Sequence, residues 1–100
     1  MNYKKIYDDL ILKVRFENRK RKKRNHKDYV YYERHHILPR CIGGTNEASN
    51  LVLLTAKEHF VVHKLLVEIY PDNDSIFFSY FMMSTFKNKY RNYSIGSNEY

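Results

Sequence analysis

Apolar residues at Tyr3, Ile6, Tyr7, Leu10, Ile11 and Val14 recur every three or four positions, and Lys4, Lys5, Asp8, Asp9 and Lys13 occupy the places between them. This is the period of a helix with one face on a core, and it predicts a first helix over residues 3–17. A different pattern begins at Tyr29-Val30-Tyr31-Tyr32, where aromatic and β-branched residues run on through Glu33 to Leu38 until Pro39 stops them. It predicts a strand ending in His35-His36-Ile37-Leu38. Pro39 to Asn46, with the Gly43-Gly44 pair, is turn chemistry. The short apolar run Leu51-Val52-Leu53-Leu54 then predicts a second strand, antiparallel to the first.

Thr55-Ala56-Lys57-Glu58 matches a capping box, in which the Thr hydroxyl and the Glu carboxylate each satisfy an orphan backbone amide. A helix therefore starts at Thr55, and Pro71 ends it near Tyr70. Asp72-Asn73-Asp74 reads as a turn and a fresh cap. A last helix is predicted from Ser75 to about Tyr90, with Ile76, Phe77, Tyr80, Phe81, Met83 and Phe86 packing inward. Residues 91–100 show no period, which leaves open disorder or a chain that continues.

One hundred residues with 43% apolar content suit one small α+β domain. The formal charge of +7 adds a preference for polyanions, because Lys and Arg placed on phosphates release condensed counterions. Much of that charge is concentrated: Arg19, Lys20, Arg21, Lys22, Lys23, Arg24 and Lys27 put seven of eighteen basic residues within nine positions. Such a block repels itself and stays solvated, and it is the candidate nucleic-acid contact, with a plain linker or a membrane surface as the alternatives. No apolar run approaches the length of a membrane span and the N-terminus lacks a signal-peptide core, so a soluble intracellular protein is expected. The single cysteine, Cys41, excludes an internal disulfide and a cysteine-pair zinc ribbon, and is read as a small loop or core filler.

The candidate chemistry lies in the histidines, four of which fall between residues 35 and 63. His59 and His63, four apart in a predicted helix, share one face and form half of a divalent-metal site. A third ligand must come from elsewhere, and the pair His35-His36 supplies it. Alternation along a strand points these two to opposite sides, so one can ligate while the other acts as a general base. A metal, a base for water and a basic flank are the parts that phosphodiester hydrolysis needs.

The run His35-His36-Ile37-Leu38-Pro39, the Gly43-Gly44 turn, Asn50-Leu51-Val52-Leu53-Leu54 and Glu58-His59-x-x-x-His63 resemble the HNH nucleases, also called ββα-metal or His-Me finger endonucleases. They look most like the phage and intron-encoded homing branch, over roughly residues 29–67. The resemblance implies a ββα-metal core with an N-terminal and a C-terminal helix. Residues 1–28 would be the first helix and basic linker, 29–70 the core, and 71–100 the last helix and tail, all in one compact domain. It implies His35, His59 and His63 as metal ligands, His36 as the base that activates water, and Asn50 as the residue that braces the loop and orients that base. The spacing from Asn50 to His59 and His63 is similar to that of bacterial toxin nucleases of the family.

The cofactor implied is one divalent ion, Mg²⁺ or Zn²⁺, with Mn²⁺ or Ni²⁺ able to substitute, and no small-molecule cofactor. The partner implied is DNA, chiefly double-stranded, in a bacterial cytoplasm if the gene is carried by a phage or intron. Arg34 and Arg40 flank the site as candidate phosphate contacts, and Glu33 is a candidate to support a ligand. This stretch has neither the zinc ribbon nor the separate DNA-reading module of many relatives, so nonspecific cutting or nicking is expected. Ser97-Asn98-Glu99-Tyr100 resembles the start of a motif downstream in the homing branch, which implies a further DNA-binding part. Two other readings are a non-catalytic nucleic-acid-binding module with structural zinc and a ribonuclease or other hydrolase.

Overall fold

In the computed structural model, which describes residues 1–85, the Asn2 side chain accepts from the Lys5 amide at 3.0 Å and starts helix α1, Tyr3–Phe16. Tyr7, Ile11 and Val14 form its buried stripe, and Leu10 packs against it. The stripe is narrower than the sequence pattern, since Ile6 is 40% exposed. The other face carries Lys4–Asp8 and Lys5–Asp9 ion pairs at 2.7 Å, exposed and of small energetic worth.

Strand β1, Glu33–His36, pairs antiparallel with β2, Leu51–Leu54, placing Glu33 opposite Leu54 and His35 opposite Val52. The sheet has only these two strands among the described residues. Residues 29–32, expected in the first strand, lie outside it. Their would-be partners would be Thr55 and beyond, and Thr55 is already the cap of a helix, so no ladder can extend there.

The connection between the strands contains two single turns of 3₁₀ helix, Arg40–Ile42 and Ala48–Asn50, where only a loop was expected. Its shape depends on Asn50. The side-chain oxygen accepts from the Leu38 amide at 2.8 Å, and the side-chain nitrogen donates to Leu38 O at 3.0 Å and Thr45 O at 2.9 Å. Gly44 lies so close to the same backbone that a Cβ would sit 1.7 Å from Leu38 O, while Gly43 takes φ +103° to close the first turn.

Helix α2, Ala56–Ile69, begins with both halves of the Thr55/Glu58 capping box in place. Helix α3, Asp74–Thr85, begins one residue before the expected start because the Asn73 side chain caps it, accepting from the Ile76 amide at 3.0 Å. Its expected extension to Tyr90, the inward packing of Phe86 and the tail 91–100 lie outside the described residues.

Two of the residues assigned to the inner face of α3, Phe77 and Phe81, are 53% and 48% exposed. Apolar residues surround this helix on nearly every side, so its sequence has no polar stripe to mark the outer face. It packs against α2 through Ile76, its one fully buried residue, and through Tyr80, whose ring centre lies 5.3 Å from that of Phe60.

The core joins all layers: Tyr7, Ile11 and Val14 of α1, Val52 and Leu54 of β2, Val62 and Leu66 of α2, and Ile76 of α3. Burial of each large side chain stabilises the fold by roughly 1.5–3 kcal/mol before chain entropy is charged against it. Helix α2 is thus gripped on one side by α1 and the sheet and on another by α3, which fixes the side chains it presents. No helix among the described residues is long and apolar enough to cross a membrane.

Candidate active site

Strand β1 and helix α2 bring His35, His59 and His63 together. Their ring centres lie 5.1, 5.2 and 4.8 Å apart, and one ligand atom from each falls within 4.8 Å of the others. The pair on α2 meets because residues four apart share a helix face. His35 joins them because Glu33 and His35 alternate onto the face of the sheet that α2 covers, which leaves His35 only 2% exposed.

A divalent ion takes neutral imidazoles through a ring nitrogen's lone pair, and the surroundings of His35 and His59 suit that demand. Burial, and then the like charges that His59, His63 and His36 would carry, push His35 down to about 2, so it is neutral. His59 Nδ1 lies 2.8 Å from Glu33 Oε1. A carboxylate can only accept, so Nδ1–H is the donor, and in the neutral ring the lone pair is on Nε2. Tyr31 donates to the other Glu33 oxygen at 2.7 Å, so the carboxylate is itself held. His35 Nε2 lies 2.7 Å from the Tyr7 hydroxyl, and burial pushes that phenol above its usual range, so it keeps its proton. The nearby charges of Tyr70 and Asp8 push it the same way.

His36, next along β1, lies outside this cluster and is partly exposed at the end of the strand. Its Nε2 is 2.7 Å from Asn46 Oδ1. The amide oxygen accepts, so His36 carries a proton on Nε2, and in the neutral ring the lone pair is on Nδ1. Asn46 thus makes the side-chain contact to His36 that was expected of Asn50, while Asn50 holds the loop backbone from Leu38 to Thr45.

His35, His36, His59 and His63 all line one open cleft of about 420 Å³, together with Arg34, Arg40 and Cys41. Arg34 and Arg40 are exposed on its rim, where a phosphate could meet them. Cys41 is exposed in the loop, its Sγ 4.0 Å from Asn73 Oδ1, and fills no core space.

The basic block divides in two. Lys20, Arg21, Lys22, Lys23, Arg24 and Lys27 are exposed, and Arg21 reaches the Tyr32 carbonyl at 3.4 Å. Within this block the His26 ring accepts from the Asp28 amide and stabilises a local turn. Arg19 turns inward. It makes a forked pair with Glu58 at 2.6 and 3.0 Å, bonds Glu17 at 2.9 Å and Leu53 O at 3.2 Å, and stacks 5.1 Å from the Tyr32 ring centre. Its side chain is 11% exposed, so its charge is spent within the protein. Arg15, the next-to-last residue of α1, likewise donates to the Ser49 carbonyl.

Comparison with known sequences adds one observation to this geometry. The chain is similar to phage T4 proteins named as probable mobile endonucleases. It is 44% identical over 101 residues to probable mobile endonuclease E, covering all of this chain and 65% of that protein. It is 41% identical over 86 residues to probable mobile endonuclease D, covering 86% of this chain and 32% of that protein. With probable mobile endonuclease B it shares 49% over 72 residues, 70% of this chain and 25% of that one. The chain therefore spans no more than 65% of the length of these relatives. No family model matches it, and no solved structure gives a significant match.

Three participants carry little or no signal in the sequence. Tyr7 reads as a core aromatic, and only the choice of Tyr over Phe at a buried position hints at a partner for its hydroxyl. Asn46 reads as a turn residue. Tyr31 reads as part of a strand, and its contact with Glu33 depends on where that strand begins.

Proposed function

We propose that this chain is the nuclease core of a mobile endonuclease of the HNH, ββα-metal type, which hydrolyses DNA phosphodiester bonds with one divalent ion. The observation that carries the reading is the presence of two kinds of histidine in one cleft: a cluster of three, and beside it a fourth whose Nε2 is held by an amide. The order β1, β2, α2 is compatible with that fold, and the names of the T4 relatives support the reaction class.

His35, His59 and His63 would hold the ion, which when bound supplies Lewis-acid charge to the scissile phosphate and the leaving oxygen. His36 Nδ1 takes a proton from water as the water oxygen forms its bond to phosphorus. The bond from phosphorus to the 3′ oxygen breaks, leaving a 5′-phosphate and, after protonation, a 3′-hydroxyl. Arg34 and Arg40 on the rim of the cleft bind the phosphate backbone, and the exposed block from Lys20 to Lys27 extends the grip. A chain with one such site nicks one strand per visit.

The test is cleavage of supercoiled plasmid, single-stranded DNA and RNA by the purified chain with Mg²⁺, Mn²⁺, Ni²⁺ or Zn²⁺, with and without chelator. Chelator-sensitive nicking of plasmid is expected. Absence of cleavage with every metal, together with unfolding on metal removal, would favour a non-catalytic zinc module instead.

A further inference from the structure

Tyr7 occupies a core position on α1, 3% exposed, where a phenylalanine would fill the same space. What distinguishes it is the hydroxyl, which has two partners from the end of β1 and just beyond. The Ile37 carbonyl lies at 2.7 Å and His35 Nε2 at 2.7 Å, with the two rings edge to face at 66°. A hydroxyl has one proton to give. The Ile37 carbonyl can only accept, so the phenol proton goes to it, and an acceptor–acceptor contact at that distance would be repulsive. The remaining contact closes only if His35 carries its proton on Nε2 and donates it to the Tyr7 oxygen. His35 Nδ1 then holds the lone pair.

We propose that Tyr7 is a positioning residue that sets the tautomer of His35, so that Nδ1 is the atom His35 offers to a divalent ion. The part concerning the ion rests on the nuclease reading; the tautomer does not. Two of the three clustered histidines would then be oriented in the same manner, each with one nitrogen engaged by another residue: His59 by Glu33 and His35 by Tyr7. The N-terminal helix, outside the stretch that resembles the nuclease core, becomes a working part of the centre. Such outer partners fix ring orientation and raise ligand basicity.

The test reads nitrogen chemistry directly. In the ¹⁵N-histidine spectrum of the metal-free protein, His35 is expected to show the Nε2–H pattern, and Tyr7→Phe is expected to lose it. Titration with Co²⁺ followed by calorimetry should show about 10- to 100-fold weaker binding in Tyr7→Phe. Ile11→Val, which trims the same buried stripe of α1 but removes no hydrogen bond to His35, should bind Co²⁺ like the wild type. An Nδ1–H pattern for His35 in the wild type overturns the proposal, as does a folded Tyr7→Phe with unchanged tautomer and affinity. If Tyr7→Phe does not fold, the wild-type spectrum alone decides. A wild type with the Nε2–H pattern that binds no Co²⁺ would refute the metal reading while upholding the role of Tyr7.

Discussion

Glu33 and His59 are joined at 2.8 Å across the junction of β1 and α2, with the carboxylate accepting from Nδ1–H and steadied by Tyr31. Their 26-residue separation in the chain is closed by the antiparallel register, which places Glu33 opposite Leu54 at the point where the chain enters α2. Because the carboxylate holds the ring and raises the basicity of the other nitrogen, Glu33→Ala is expected to weaken Zn²⁺ or Co²⁺ binding by about 10- to 100-fold. Glu33→Gln, which can still accept but without charge, should fall between. Calorimetric titration checks this, and equal affinities for all three would show that the pair does not support a ligand.

His36 and His59 should separate cleanly. His36→Ala is expected to lower plasmid nicking by roughly 10²–10⁴-fold while leaving metal affinity unchanged, since general bases contribute on that scale. His59→Ala should lose both. Asn46→Ala should reduce turnover by less than His36→Ala with little change in KM, because the base survives but is no longer oriented. Wild-type turnover in His36→Ala would refute the base assignment.

The two glycines of the loop give opposite reasons for the same sensitivity. Gly44→Ala forces a Cβ to within 1.7 Å of the Leu38 carbonyl oxygen, a backbone atom that cannot move without breaking the Asn50 clasp. A loss on the order of 3 kcal/mol is expected. Gly43→Ala meets no atom within 4 Å but must hold φ at +103°, with strain of about 1–3 kcal/mol. Urea unfolding of both variants measures the difference, and a stable Gly44→Ala would mean that the loop is not held as described.

Much of this was readable because it is local. The α1 stripe, the capping box at Thr55 and Glu58, the β2 run and the spacing of His59 and His63 each depend on residues a few positions apart, where periodicity and turn chemistry act. The extent of β1 was not readable, because strand length is set by the partner, and β2 ends where Thr55 caps a helix. Nor was the fate of Arg19, which has six basic neighbours nearby in the sequence and is set apart from them chiefly by partners distant in the chain, Glu58 at 39 residues and the Leu53 carbonyl at 34. Tyr7 and Asn46 act through single atoms whose partners depend on the tertiary fold, and a pattern of polar and apolar positions carries no record of them.

The block that reads uniformly basic should therefore respond in two ways. Lys22→Ala with Lys23→Ala is expected to leave stability within about 0.5 kcal/mol and to reduce the salt dependence of DNA binding by roughly two counterions. Arg19→Ala should instead destabilise by about 1–3 kcal/mol, between the worth of an exposed pair and a buried one, because it leaves Glu58 without its fork. Arg19→Lys recovers only part of this, lacking the planar double contact. Denaturant melts beside binding isotherms at several salt concentrations distinguish the two. A purely binding defect in Arg19→Ala would overturn the assignment.

Glu58 makes that contact pH-dependent in a definite direction. The hydrogen bond from Arg19 is the largest influence holding its carboxyl below the ordinary value of 4.5, ahead of burial, which opposes it; the Thr55 amide adds to the lowering. A carboxyl with a lower pKa in the folded state binds fewer protons there than in the unfolded chain, so its contribution is complete above about 4.5 and is lost as pH falls through the folded value. Protonation also weakens both the Arg19 fork and the cap at the start of α2, next to His59. The stability gap between wild type and Glu58→Gln is thus expected to be largest at pH 6 and to shrink by pH 3. Urea midpoints for the two proteins across that range measure it. A gap that stayed constant to pH 3 would mean that the Glu58 charge contributes nothing to holding the helix start.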